Sequence, residues 1–164
     1  MSTIIIGIGN PVLSDDSVGI KVAHTLAGTL RDRPGLEIRE LWHGGLRLME
    51  AITGHERAII IDAIVTKGGK PGSVYTLQPA ELRQSRNTCS MHDGSFHEAL
   101  ELGAFLGIDL PSQINIWAIE ADDVETVSEN LSGEVERAIP IVVQGVLRQI
   151  DQEKQLAVSE GDQR

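Results

Sequence analysis

Ile4-Ile5-Ile6-Gly7-Ile8-Gly9-Asn10-Pro11-Val12-Leu13-Ser14-Asp15-Asp16-Ser17-Val18-Gly19 is the stretch that decides the fold. Its isoleucines form a short β-branched run, which suits a strand buried on both faces better than one with a wet face. Gly7 and Gly9 permit a tight turn where a Cβ would clash, and Pro11 fixes its own φ and bars an early helix. Asp15 and Asp16 then stand at the mouth of a helix expected over residues 16–30, with Val18, Val22 and Leu26 on one face. In an open α/β sheet, that strand-to-helix turn is where ligands dock.

Outward from this unit the chain keeps alternating. Residues 36–42 alternate apolar and polar, as a half-exposed strand does, and Leu46, Met49 and Ile52 follow at helical spacing up to Gly54. Residues 57–62 are a second strongly apolar strand that, like the first, ends in a carboxylate. Residues 67–72 read as a loop, 73–77 as a strand, and 83–90 as polar and irregular. Phe96, Ala99, Leu100, Gly103 and Leu106 place a helix soon after His92, and 113–119 make another strand. The acidic segment 120–129 is a loop or a short helix. A last helix is expected over 132–150, kinked or split at Pro140, with a polar, frayed tail over 153–164. The expected fold is a single α/β domain over residues 1–152. It is a three-layer sandwich, a mostly parallel twisted sheet with helices on both faces.

Composition narrows the function. The formal charge is −10, lysine and arginine form no cluster, and only five residues are aromatic. Both facts oppose a nucleic-acid partner, which needs cationic patches or stacking platforms. The single cysteine, Cys89, excludes an intrachain disulfide and any multi-cysteine zinc site. The N-terminal apolar run is too short for a signal peptide or a membrane span, so a cytoplasmic protein without membrane insertion is expected.

Chemistry concentrates on Asp16, Asp62 and His92. If the first strand and the 57–62 strand are parallel neighbours, both carboxylates reach one edge of the sheet, and His92, ahead of its helix, is a candidate to join them. Two carboxylate oxygens and an imidazole nitrogen, with open positions for water, would suit a hydrolytic metal site. Each residue also has a plainer reading. Asp15 or Asp16 caps a helix or partners its dipole, Asp62 caps a turn, and His92 is a surface or hydrogen-bonded histidine. His43 and His97 are weaker candidates, and His24 and His55 read as structural or solvated. Cys89 lies near His92, but no oxyanion-type loop surrounds it, so it reads as an incidental thiol. Gly7-x-Gly9 lacks the third glycine of a dinucleotide fingerprint, and two aspartates there would repel a pyrophosphate, so no organic cofactor is expected.

The stretch from Gly7 to Gly19 resembles the opening signature of the nickel–iron hydrogenase maturation endopeptidases. Asp62-Ala63-Ile64-Val65 is similar to their second motif, and Ser90-Met91-His92 falls where that family carries its histidine. Gly44-Gly45, Pro71-Gly72 and residues 131–139 resemble their linking segments, so the likeness runs collinearly from about residue 3 to 150. It implies a compact α/β endopeptidase that trims the C-terminal extension of a hydrogenase large-subunit precursor once nickel has been loaded. It also implies that Asp16, Asp62 and His92 are the metal-contacting and catalytic positions, and that the nickel is held by the precursor. A carboxylate would then act as general base. Two positions depart from the pattern. Asp16 stands where the family often has glutamate, with Asp15 as a neighbouring competitor, and His43 stands where an aspartate usually precedes the double glycine, a change that marks a subgroup with a different substrate (the favoured reading) or adds a nitrogen donor near the site. Two other readings stay open. One is a non-cleaving chaperone that binds nickel or the large subunit. The other is a peptidyl-tRNA hydrolase-like enzyme, which shares the opening turn but needs a histidine–asparagine pair and a basic face. The expected oligomeric state is a monomer.

Overall fold

The computed structural model describes residues 2–82 and 96–161. Five strands form one sheet: β1 (Thr3–Ile8), β2 (Leu36–Leu41), β3 (Arg57–Ile64), β4 (Val74–Leu77) and β5 (Gln113–Glu120). Their order across the sheet is β2-β1-β3-β5-β4, parallel except for the antiparallel edge strand β4. The helices are α1 (Val18–Leu30), α2 (Leu46–Ile52), α3 (Pro79–Leu82), α4 (Phe96–Phe105) and α5 (Gly133–Gly161).

The isoleucine run explains the centre of the sheet. Period-two alternation sends Ile5 with Ile59 and Ile61 to one face, under Val18, Val22 and Leu26 of α1 and Val135, Val142 and Val146 of α5. Ile4, Ile6, Ile8 and Ile60 go to the other face, under Leu48 and Ile52 of α2 and Phe96 of α4. Each of these side chains contributes about 1.5–3 kcal/mol by leaving water. The expected α/β sandwich with helices on both faces is therefore the observed architecture.

The connectivity creates a reversal of strand order, the place where open α/β sheets form their ligand crevice. After β1 the chain crosses by α1 to β2 on one side, and after β2 it crosses back by α2 to β3 on the other side of β1. The two crossover helices lie on opposite faces. The carboxyl ends of β1 and β3 are thus adjacent at the point where strand order reverses, with Gly7 paired to Ile61.

Three expectations are revised. The first helix opens as a 3-10 turn over Ser14–Ser17 before α1 begins at Val18. Strand β3 does not end at Asp62 but runs to Ile64, because β5 keeps pairing as far as Ile64 with Glu120. Helix α5 passes Pro140 and continues to Gly161, so 153–161 are helical rather than a frayed tail. Pro140 is tolerated because it is solvent-exposed, as is Glu136, whose carbonyl loses its i+4 donor to the proline and faces water instead. Among the described residues, no helix is long and apolar enough to cross a membrane.

Candidate active site at the carboxyl edge of the sheet

The turn after β1 can form only because two glycines admit backbone. Gly9 has φ +149°, and a Cβ there would lie 1.8 Å from the carbonyl oxygen of Asp16. Gly19, near the start of α1, would place a Cβ 2.3 Å from the Ile61 carbonyl oxygen and 2.4 Å from that of Ile8. Helix α1 therefore starts in direct contact with the ends of β1 and β3. Gly7 lies inside β1 rather than in the turn, where its missing side chain makes room for Gly19 and Ala23 of α1.

The two adjacent aspartates have opposite environments. Asp15 is fully buried. Its Oδ1 accepts the Ser132 N–H at 2.7 Å, and its Oδ2 accepts the N–H groups of Asp122 at 2.9 Å and Asp123 at 3.0 Å and the Ser132 hydroxyl at 2.6 Å. Asp16 is only part-buried, and its Oδ2 accepts the Asn10 N–H at 2.8 Å. Among the described residues, Oδ1 of Asp16 has no hydrogen-bond partner. Asp15 is thus spent on holding the loop, and Asp16 is the carboxylate left at the crevice.

Asp62 lies on the next strand, 3% exposed, with Oδ1 accepting the Ala63 N–H at 2.8 Å. Alternation places it on the face of Ala58 and Ile60, the face that α4 covers from Phe96 onward. His92 and Cys89 lie outside the described residues, as does the polar segment 83–90. Among the described residues, no group of three or more histidine, cysteine, aspartate or glutamate side chains is assembled to hold a metal ion. Neither the 3-10 turn nor α1 has a side-chain cap bond at its N-terminus, so Asp16 is no side-chain helix cap, while its place in the first turn of the 3-10 helix fits the plainer reading of a dipole partner.

The other histidines separate clearly. His97 sits in the first turn of α4 with Nε2 3.3 Å from Glu101 Oε1, and His24 is exposed beside Glu40 at 3.2 Å. His43 is exposed just beyond β2 and lines a surface hollow with Glu40, Trp42 and Arg47. His55 pairs with Glu37 at 3.1 Å, far from the crevice. Burial pushes the Glu37 carboxyl up, but hydrogen bonds from His55 and Arg39, together with their charges, outweigh it and hold it below the usual carboxylate range.

Sequence reasoning missed two parts of this edge. Glu120, 2% exposed at the end of β5, accepts the Thr66 N–H at 2.6 Å and the Thr66 hydroxyl at 2.8 Å, pinning the loop after β3. Its only signal in the chain is an acid at the end of an apolar strand, the same signal that singled out Asp62. The loop between β5 and α5 is the second part. It is laced to the turn after β1, with Ser14 N–H on the Ser128 carbonyl at 2.8 Å and Ser128 N–H on the Val12 carbonyl at 3.0 Å. Within it, Asp123 accepts the N–H groups of Glu125 and Thr126. Hydrogen bonds from the Thr126 side chain first, then from those N–H groups, hold the Asp123 carboxyl below the usual range. Exposed apolar side chains stand at the same edge: Val12, Trp42, Leu46 and Val127.

The sequence profile of the hydrogenase maturation protease family matches residues 20–149, a span that includes Asp62 and His92 and begins four residues after Asp16. The chain is 25% identical over 126 residues to the hydrogenase 2 maturation protease of Escherichia coli K12, covering 76% of each chain. It is 24% identical over 147 residues to the hydrogenase expression/formation protein HupD of Rhizobium leguminosarum bv. viciae, covering 88% of this chain and 72% of that one. Its fold superposes on the maturating endopeptidase HybD of Escherichia coli with a TM-score of 0.78 at 24% identity, over 93% of this chain and 94% of the other. The NiFe hydrogenase maturation protease HybD of Thermococcus kodakarensis gives 0.71 at 26% identity, over 91% and 99%. With the profile spanning most of its length and the fold shared throughout, this chain belongs to the hydrogenase maturation protease family.

Proposed function

We propose that this endopeptidase removes the C-terminal extension of a nickel-loaded hydrogenase large-subunit precursor, with Asp16, Asp62 and His92 as the residues that meet the nickel-bearing site. The observation that supports this reading is the pairing of β1 with β3, which sets the strand leading to Asp16 beside the strand carrying Asp62 at the strand-order reversal. Two carboxylates and an imidazole attract a divalent cation strongly where burial lowers the local dielectric. A precursor carrying nickel therefore binds better than an empty one, and the metal belongs to the substrate. Peptide hydrolysis needs a base to take a proton from the attacking water. Asp16 suits that role better than Asp62, being part-exposed, with one oxygen tied to Asn10 and the other without a partner among the described residues. The exposed apolar side chains at the same edge suit a folded protein substrate rather than a small metabolite. The setting proposed for the reaction is the cytoplasm.

Mass spectrometry of a large-subunit precursor, incubated with the protein before and after nickel loading, tests this directly. Loss of a C-terminal peptide from the loaded form alone is the expected result, and Asp62→Ala and His92→Ala are expected to abolish it while remaining folded. Full activity in either folded variant overturns the residue assignment. Tight binding without cleavage would replace the protease by a non-cleaving chaperone.

A further inference from the structure

Next to the proposed catalytic carboxylate stands a second one that the reaction does not use. Asp15 is fully buried and gathers four donors from Asp122, Asp123 and Ser132, residues more than a hundred positions away in the chain. Its own N–H donates to the Asp123 carbonyl at 2.9 Å, so the contact closes in both directions. Ser14, immediately before it, is a non-glycine residue with φ +41°. Such a conformation persists only where the surroundings over-determine it. Here the surroundings are that loop, with Ser14 N–H on Ser128 and the Ser14 hydroxyl on the Asn130 carbonyl at 3.1 Å, and the turn itself, with the Ser17 hydroxyl on the Ser14 carbonyl at 2.7 Å. The 3-10 turn that presents Asp16 is thus clamped from behind by a buried carboxylate and from beneath by the ends of β1 and β3.

We propose that Asp15 is a positioning residue for the cleavage reaction, locking the loop between β5 and α5 onto the turn and thereby fixing the direction in which Asp16 is presented. Asp15 meets no substrate atom and acts only through Asp16. The inference rests on the role of Asp16 in the proposed function. Asn at this position keeps the shape but turns an N–H₂ toward at least one of the four donors, so the lock loosens while the fold is retained. Ala leaves the three N–H groups without an acceptor.

The test compares cleavage of a nickel-loaded large-subunit precursor by the wild type, Asp15→Asn, Asp15→Ala and Asp16→Asn, with kcat expressed per folded molecule. A displacement of about 1 Å at a reacting group costs about 100-fold. The expected result for Asp15→Asn is therefore a kcat reduced by about 30- to 100-fold, with KM within about threefold of wild type. Asp15→Ala is expected to fall further. Ser132→Ala, which removes one donor and leaves the carboxylate, is expected to lose about fivefold in kcat and serves if the Asp15 variants do not fold. In the wild type, the amide protons of Asp122, Asp123 and Ser132 are expected to exchange only through global unfolding. Wild-type kcat in a folded Asp15→Asn, a raised KM with unchanged kcat, or exchange of those amides by local opening overturns the proposal. Failure of the wild type to cleave, or full activity of Asp16→Asn, instead removes the functional reading beneath it.

Discussion

Substitution of Gly19 by alanine tests the contact on which the crevice is built. The added Cβ would lie 2.3 Å from the Ile61 carbonyl oxygen and 2.4 Å from that of Ile8. Carbon–oxygen contacts settle at about 3.3 Å, so α1 must retreat from the sheet by about 1 Å. The opposing atoms are backbone of two central strands, which have no rotamer to change. Against backbone that cannot move aside, overpacking costs about 3 kcal/mol, the upper end of its usual range, and the helix preference of alanine over glycine returns about 1 kcal/mol. The net loss is about 2 kcal/mol, which lowers Tm by about 4–8 °C in a chain of this size. Because the 3-10 turn leads straight into α1, Asp16 shifts with the helix, and kcat is expected to fall by about 10- to 100-fold. Differential scanning calorimetry and precursor-cleavage kinetics on the purified variant supply both readouts. An unchanged or raised Tm, the result for alanine in an unobstructed helix, together with wild-type kcat, would refute the reasoning.

Glu120→Ala leaves the Thr66 N–H and hydroxyl without their buried acceptor, and a loss of about 1–3 kcal/mol is expected in denaturant unfolding. The Asp123 carboxyl is depressed in the folded state, so its stabilisation is complete above the unfolded-state range of aspartate and is lost as pH falls through the lower folded value. Asp123→Asn is accordingly expected to reduce the slope of Tm against pH on the acid side and leave it unaltered near neutrality; an identical acid limb would contradict this. Trp42→Ala removes exposed apolar surface beside the crevice, and cleavage kinetics should show KM for the precursor raised with kcat retained.

Local pattern alone determined much of this protein. The isoleucine run marks β1, residues 57–61 mark most of β3, and Val18, Val22 and Leu26 mark the buried face of α1, because side-chain periodicity is a property of neighbouring residues. The acids following those apolar runs mark Asp16 and Asp62 as candidates for the same reason. Tertiary structure decided what depends on distant partners. Asp15 and Asp16 are chemically identical neighbours, and only the arrival of residues 122–132 makes one a buried acceptor of four donors while the other stays part-buried. Strand β3 outruns Asp62 because β5 supplies a partner as far as Glu120, and α5 runs through Pro140 because that residue faces solvent. Gly19 carries no local signal of its importance, since the carbonyls it must admit belong to Ile8 and Ile61. A chain shows its periodicities one residue at a time, whereas burial, close approach and shared hydrogen bonds exist only between segments that folding brings together.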